Sequence, residues 1–149
     1  MSNTKPTPKI RAARPADLPA IAALDGKITG LAKPDDWADL IRRYGRRRRE
    51  RFFLVAEADG ALAGFIVGEV RAWEFGSPPC GWVFAVNVEP DRRLAGVGTA
   101  LFEALCDRFR DAGVATVRTM LARDDTLIMS FFRSQGMMAG PYIELEAPL

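Results

Sequence analysis

Three runs of β-forming residues follow one another between Arg51 and Val88, and the dipeptide Asp59-Gly60 separates the first two. This dipeptide suits a two-residue hairpin turn, whose central residues both need positive φ, so the chain has to double back antiparallel here. Arg51 to Ala58 and Ala61 to Trp73 are the two arms, Gly76 to Pro79 is a further turn, and Trp82 to Val88 completes a meander. The period then changes. Val97, Leu101, Ala104, Leu105 and Phe109 recur at helical spacing up to Gly113, and Val114 to Leu121 returns to strand-forming residues. Strand, helix and strand in that order predict a right-handed parallel crossover over Trp82 to Leu121.

The flanks extend the pattern. Lys9 to Ala13 predicts a first strand, and Pro15-Ala16-Asp17 opens a helix through Leu18, Ile21, Ala22 and Leu24. Pro34-Asp35-Asp36 starts a second helix with Trp37, Leu40, Ile41 and Tyr44 on one face. After the crossover, a helix from about Asp124 to Gln135 stops at Gly136, and a last strand is expected around Tyr142 to Glu146. The fold class that follows is α/β (α+β): a mixed, mainly antiparallel sheet with one parallel β-α-β crossover and helices on both faces. A chain of 149 residues buries a core of this kind without disulfides or a structural metal. No repeat or linker divides it, so one domain is expected over residues 9–149, behind a flexible tail over residues 1–8.

What is missing narrows the chemistry. With no histidine, the chain has no Ser-His-Asp triad, no Cys-His pair and no imidazole zinc site, and no metal is expected. Cys80 and Cys106 are too few for a metal cluster or a disulfide framework. They are expected to be small apolar fillers, and a cytoplasmic location follows from that usage. The N-terminal residues hold no apolar run, so neither a signal peptide nor a membrane partner is expected. A net charge of +2 is too small for a dedicated polyanion binder. Arg42, Arg43, Arg46 to Arg49 and Arg51 form the densest charge run; they are read as a solvated helix end, and nucleic acid is not an expected partner.

The chemistry is concentrated where the third strand of the meander meets the crossover helix, Val86-Asn87-Val88-Glu89-Pro90-Asp91-Arg92-Arg93-Leu94-Ala95-Gly96-Val97-Gly98-Thr99. Free amides at a helix N-terminus attract a phosphate, and Gly96 and Gly98 let the backbone approach it. No Gly-Lys-Ser/Thr follows, and the third glycine of a dinucleotide turn is absent. Arg93-x-x-Gly96-x-Gly98, preceded by Val88-x-Pro90 and followed by Leu101, resembles the pyrophosphate signature of the GNAT acetyltransferase superfamily. The resemblance runs from about Leu54 to Gly136 and more loosely over the whole chain. It implies the acyl-CoA N-acyltransferase fold, acetyl-CoA as co-substrate, and acetyl transfer to a primary amine in a ternary complex without a covalent enzyme intermediate. It also implies that the amides of Arg93, Leu94, Ala95, Gly96, Val97, Gly98 and Thr99 hold the diphosphate of coenzyme A. Val86, Asn87 and Val88 would pair with the pantetheine arm, and an N–H near Val86 would meet the thioester carbonyl.

The chain also departs from that family's pattern. Aligned on Gly136, the position of the customary thiolate-protonating tyrosine is Phe132, and that of a customary asparagine is Asp125. The glutamate of some members falls at Met120, which takes no proton. Three readings are open. Other groups act, with Tyr142 as catalytic acid and Asp125 as a polar contact to substrate or pantetheine; or no strong acid is needed, because positioning and an oxyanion donor supply the help; or the chain is a non-catalytic acyl-CoA-binding sensor or partner module. Phe131 and Phe132 are expected to pack in the core or against the cofactor. Trp37, Trp73, Phe75 and Trp82 are core residues or line an acceptor pocket, and Glu69 and Glu74 either attract a cationic amine or face solvent. The acceptor is expected to be a small-molecule or peptide amine, and a homodimer through the C-terminal strands is among the expectations the resemblance brings.

Overall fold

The computed structural model describes residues 7–31, 33–45, 49–72 and 74–149. Among these, strands β1 (Lys9–Ala12), β2 (Arg51–Ala58), β3 (Ala61–Arg71), β4 (Cys80–Val88) and β5 (Val117–Thr119) form one sheet in sequence order. The first three pairings are antiparallel, and β4 with β5 is parallel. The hairpin turn between β2 and β3 is as expected, with Asp59 at φ 53° and Gly60 at φ 75°. The helices are α1 (Leu18–Thr29), which follows a short 3₁₀ turn, α2 (Pro34–Tyr44), α3 (Val97–Asp111) and α4 (Thr126–Ser134). Among the described residues, no helix is long and apolar enough to cross a membrane.

Alternation along β2 supplies both faces of the sheet with apolar side chains. Phe53 and Val55 join Phe65, Ile21, Leu24, Trp37 and Ile41 under α1 and α2. Leu54 and Ala56 join Ile66, Leu101, Leu105, Phe109 and Phe132 under α3 and α4. Trp37 is therefore core: its ring lies edge-on to Phe65 with centroids 5.0 Å apart. Cys80 and Cys106 are buried and not joined to each other, the latter with its pKa pushed up by burial.

Two expectations are corrected. The strand expected over Val114 to Leu121 shrinks to Val117–Thr119, because β5 finds partners only at Gly81, Trp82 and Val83 of β4. Next along β4, Phe84 is an extra residue: Val83 faces Gly68 and Ala85 faces Val67. This bulge turns β4 away. The strand expected around Tyr142 to Glu146 does not form; the segment is exposed and without regular structure. Its alternation of Tyr142, Glu144 and Glu146 with Ile143 and Leu145 has the right period, but no strand lies beside it to pair with.

The entry to α1 is held by charge. Arg11 bonds Asp17 at 2.8 and 2.7 Å and Glu57 at 2.8 Å, bridging β1, β2 and the 3₁₀ turn. Its guanidinium and the Arg14 backbone N–H lower the Asp17 pKa. A lowered folded-state pKa contributes stability that is present above the unfolded value, about 3.9, and lost as pH falls through the folded one. Asp17→Asn is expected to cost about 1–2 kcal/mol at neutral pH and to flatten the loss of stability below about pH 4, as read from denaturant midpoints across pH.

Candidate active site

Where β4 and β5 part, a cleft of ≈ 220 Å³ opens, lined by Val83, Phe84, Ala85 and Val86 on one side and Thr119, Met120, Leu121 and Ala122 on the other. Asp125, Ile128 and Phe132 of α4 close its end. The last tie between the strands is a side chain, since Thr119 Oγ1 donates to the Val83 carbonyl at 2.9 Å. Beyond it, one edge of β4 has no strand partner.

The phase of the β3–β4 ladder identifies which groups face that edge. Glu89 N donates to Ala63 O at 2.8 Å, while Val88 is registered opposite Gly64. Val88–Gly64 is then a pair that exchanges no bonds, and so is Val86–Ile66 two residues earlier. The N–H and C=O of Val86 and Val88 consequently point away from β3, and Val86 lines the cleft. Asn87 faces the other way in the ladder, and its Nδ2 donates to Asp25 Oδ1 at 3.2 Å. Asp25, on α1, is 3% exposed and accepts from Trp37 Nε1 through its other oxygen at 3.0 Å. This buried carboxylate ties α1 and α2 to β4 between the two outward-facing valines. The sequence reading passed over it, although a carboxylate beside Ile21 and Leu24 on an apolar helix face was the available signal.

The strand then runs through a 3₁₀ turn (Pro90–Ala95) into α3. No side chain caps α3, and its ladder begins with Ala100 N onto Gly96 O at 3.0 Å, so the first-turn amides of Val97, Gly98 and Thr99 have no intrahelical acceptor. The two glycines are small for different reasons. Gly96 has φ 79°, a left-handed conformation that disfavours a side chain, with open space where a Cβ would go. A Cβ on Gly98 would lie 2.8 Å from the Phe131 ring, so that glycine makes room for α4 as well as for a ligand. Gln135 Nε2 to Thr99 Oγ1, at 2.9 Å, also links α4 to the head of α3.

Three expected site residues behave differently from one another. Phe132 is 4% exposed; it walls the cleft and packs on Phe102 and Phe131. Asp125 lines the cleft too, but its Oδ1 caps α4 through Ile128 N at 3.1 Å. Tyr142 lies off any strand and outside the cleft lining, with its ring 4.4 Å from the Arg118 guanidinium.

On the α2 face, the mouth of the cleft is aromatic and basic. Phe84 lies edge-on to Tyr44 with centroids 6.4 Å apart, and the Arg71 guanidinium is 4.9 Å from the Phe84 ring and 5.7 Å from that of Trp82. Glu69 does not face solvent, since Tyr44 Oη donates to it at 2.9 Å and Arg71 Nε at 3.0 Å, with Arg51 at 3.7 Å. Burial and that bond raise the Tyr44 pKa, so it stays protonated. Phe75 is fully exposed and lines nothing. Trp73 and Arg46 to Arg48 lie outside the described residues.

Comparison with known proteins gives this geometry a family. Residues 18–137 match the acetyltransferase (GNAT) family. L-2,4-diaminobutyric acid acetyltransferase of Nocardia farcinica is 34% identical over 87 residues, which is 58% of this chain and 44% of that protein. Mycothiol acetyltransferase of Sanguibacter keddieii is 35% identical over 85 residues, 56% of this chain and 27% of that protein. The chain thus spans less than half the length of either relative. A solved aminoglycoside N-acetyltransferase in complex with CoA superposes with a TM-score of 0.83 over 99% of both chains at 16% identity, and so shares the fold. Because the family match covers the crossover, the glycine turn and both helices that flank the cleft, the chain belongs to the acetyltransferase (GNAT) family.

Proposed function

We propose that the chain transfers an acetyl group from acetyl-CoA to a primary amine by direct attack in a ternary complex, with residues 9–149 acting as one domain. The observation that carries this reading is the pair of outward-facing peptide groups at Val86 and Val88, opening onto a cleft that leads to an uncapped helix. The residues fit such a ligand. First-turn amides past Gly96, flanked by Arg93, suit a diphosphate, and the free edge of β4 suits an arm that carries amides of its own. The apolar wall of Val83, Ala85 and Phe132 excludes water from a thioester.

When bound, acetyl-CoA supplies a thioester at which the amine nitrogen forms the new C–N bond while the C–S bond breaks, its electron pair staying on sulfur and the nitrogen's surplus proton passing to sulfur or solvent. Val86 N–H donates to the carbonyl oxygen as charge develops there. Phe132 has no proton to give and Met120 takes none, so this chain's contribution is positioning and the oxyanion donor. Tyr142, over Arg118, is an acid that this route does not require.

The pH profile follows from that absence. kcat/KM is expected to rise with pH to a plateau set by the acceptor's own ammonium pKa, with no descending limb from an enzymic acid, when measured with two acceptors of different pKa. The direct test is thiol release from acetyl-CoA across a panel of primary amines. Release with at least one amine is the expected result. Tight binding without release from any would favour the non-catalytic acyl-CoA-binding module, the reading that Phe132 supports.

A further inference from the structure

On the α2 face, beside the cleft wall at Phe84, sits a cluster with more hydrogen-bond donors than acceptors among its described residues. Glu69 is its one carboxylate among the bonds described above, 15% exposed, and it is shared by Tyr44, Arg51 and Arg71. Arg71 remains 43% exposed and is bonded, among the described residues, through Nε alone, which leaves its outer N–H groups unspent. That guanidinium lies over the rings of Phe84 and Trp82, which hold it in place, and Phe84 is at the same time a wall of the cleft. Trp82 adds a buried Nε1 donor with no acceptor among the described residues. A polycationic amine entering here meets Arg71 over a carboxylate already shared by three donors.

We infer that the acceptor is an amine that also carries a carboxylate, and that Arg71 is the residue that selects it. This inference rests on the acyl-transfer reading above. The carboxylate sits on the outer N–H groups of Arg71, in the forked geometry a guanidinium offers, while the amine reaches past Phe84 to the region of Val86. Selection of this kind discriminates strongly, because an acceptor lacking the oxyanion leaves the fork unpaired.

Matched acceptors test the inference: lysine against lysinamide and 1,5-diaminopentane, and 2,4-diaminobutyrate against its amide, with kcat and KM measured separately. In the native protein each acid is expected to exceed its amide in kcat/KM by about tenfold or more, chiefly through KM. Arg71→Gln should bring the acid-to-amide ratio close to one, and Arg71→Lys should keep part of the preference. Amides or the plain diamine matching the acids in the native protein would overturn the inference while leaving acyl transfer standing, as would a preference that survives Arg71→Gln. Calorimetric titration of the same acids into the protein saturated with coenzyme A gives a reading independent of turnover. Binding of the acids about tenfold weaker in Arg71→Gln supports the inference, and equal binding rejects it. Absence of coenzyme A binding altogether would instead remove the acyl-transfer reading on which this one depends.

Discussion

Gly96→Asp is expected to weaken coenzyme A binding by about 100-fold or more in a calorimetric titration, with little change in the melting curve. A Cβ at Gly96 meets nothing within 4 Å, so the substitution has room. Its conformational cost at φ 79° is about 1 kcal/mol, since aspartate is among the residues that tolerate the left-handed region. The penalty falls on the ligand: a carboxylate set against the amides of Val97, Gly98 and Thr99 competes for the donors a diphosphate needs and repels its charge. Gly96→Asn has the same shape without the charge, and is expected to lose no more than about tenfold. An unchanged titration with Gly96→Asp would detach the diphosphate from the head of α3. Gly98 is a poorer probe of the same question, because any Cβ there presses on Phe131 and confounds packing with binding.

The largest stability effect is expected at Asp25. Asp25→Ala leaves Trp37 Nε1 unpaired in the core and the half-buried Asn87 Nδ2 without this acceptor, and opens a cavity, at a cost of about 3–5 kcal/mol. For a domain of this size that corresponds to a fall in Tm of about 6–20 °C. Asp25→Asn keeps the volume and one acceptor but turns an amide against one of the two donors, at about 1–3 kcal/mol. Asn87 lies between the two outward-facing valines, so the milder variant is also expected to lower kcat by loosening the Val86 N–H. A melting temperature unmoved by Asp25→Ala would mean that this carboxylate does not hold the helices to β4.

The hairpin, the meander and all four helices were legible because each rests on a local rule. Asp59-Gly60 can make its turn without help from elsewhere, and Leu101, Leu105 and Phe109 repeat at a spacing that only a helix brings to one face. The glycine turn before α3 was legible for the same reason, since the pattern of Arg93, Gly96 and Gly98 spans only a few consecutive residues; that Gly96 is left-handed came from the structure. The segment from Tyr142 to Glu146 shows where this reasoning ends. It alternates as well as any strand in the chain, yet a strand exists only where a neighbour supplies the other half of the ladder.

The candidate site divides along the same line. Phe132 and Asp125 were picked out by their offset from Gly136 in the family's pattern, and both line the cleft, but the spending of Asp125 on the cap of α4 depended on where that helix starts. Glu69 was expected either to attract a cationic amine or to face solvent. Tyr44 and Arg51, 25 and 18 positions earlier in the chain, together with Arg71, make it the centre of a neutralised cluster.

By itself, the sequence determined the order of strands and helices as far as α4, the glycine turn at the head of α3 and the absence of a proton donor at Phe132, all of which are settled within a few residues by backbone sterics, side-chain period or side-chain chemistry. Tertiary structure alone decided that β4 bulges at Phe84 and parts from β5, that Val86 and Val88 turn their peptide groups away from β3, and that Arg71 lies over the Phe84 ring. These depend on which strand lies beside which and in what register, and the hydrogen bonds that set register join residues far apart in the chain.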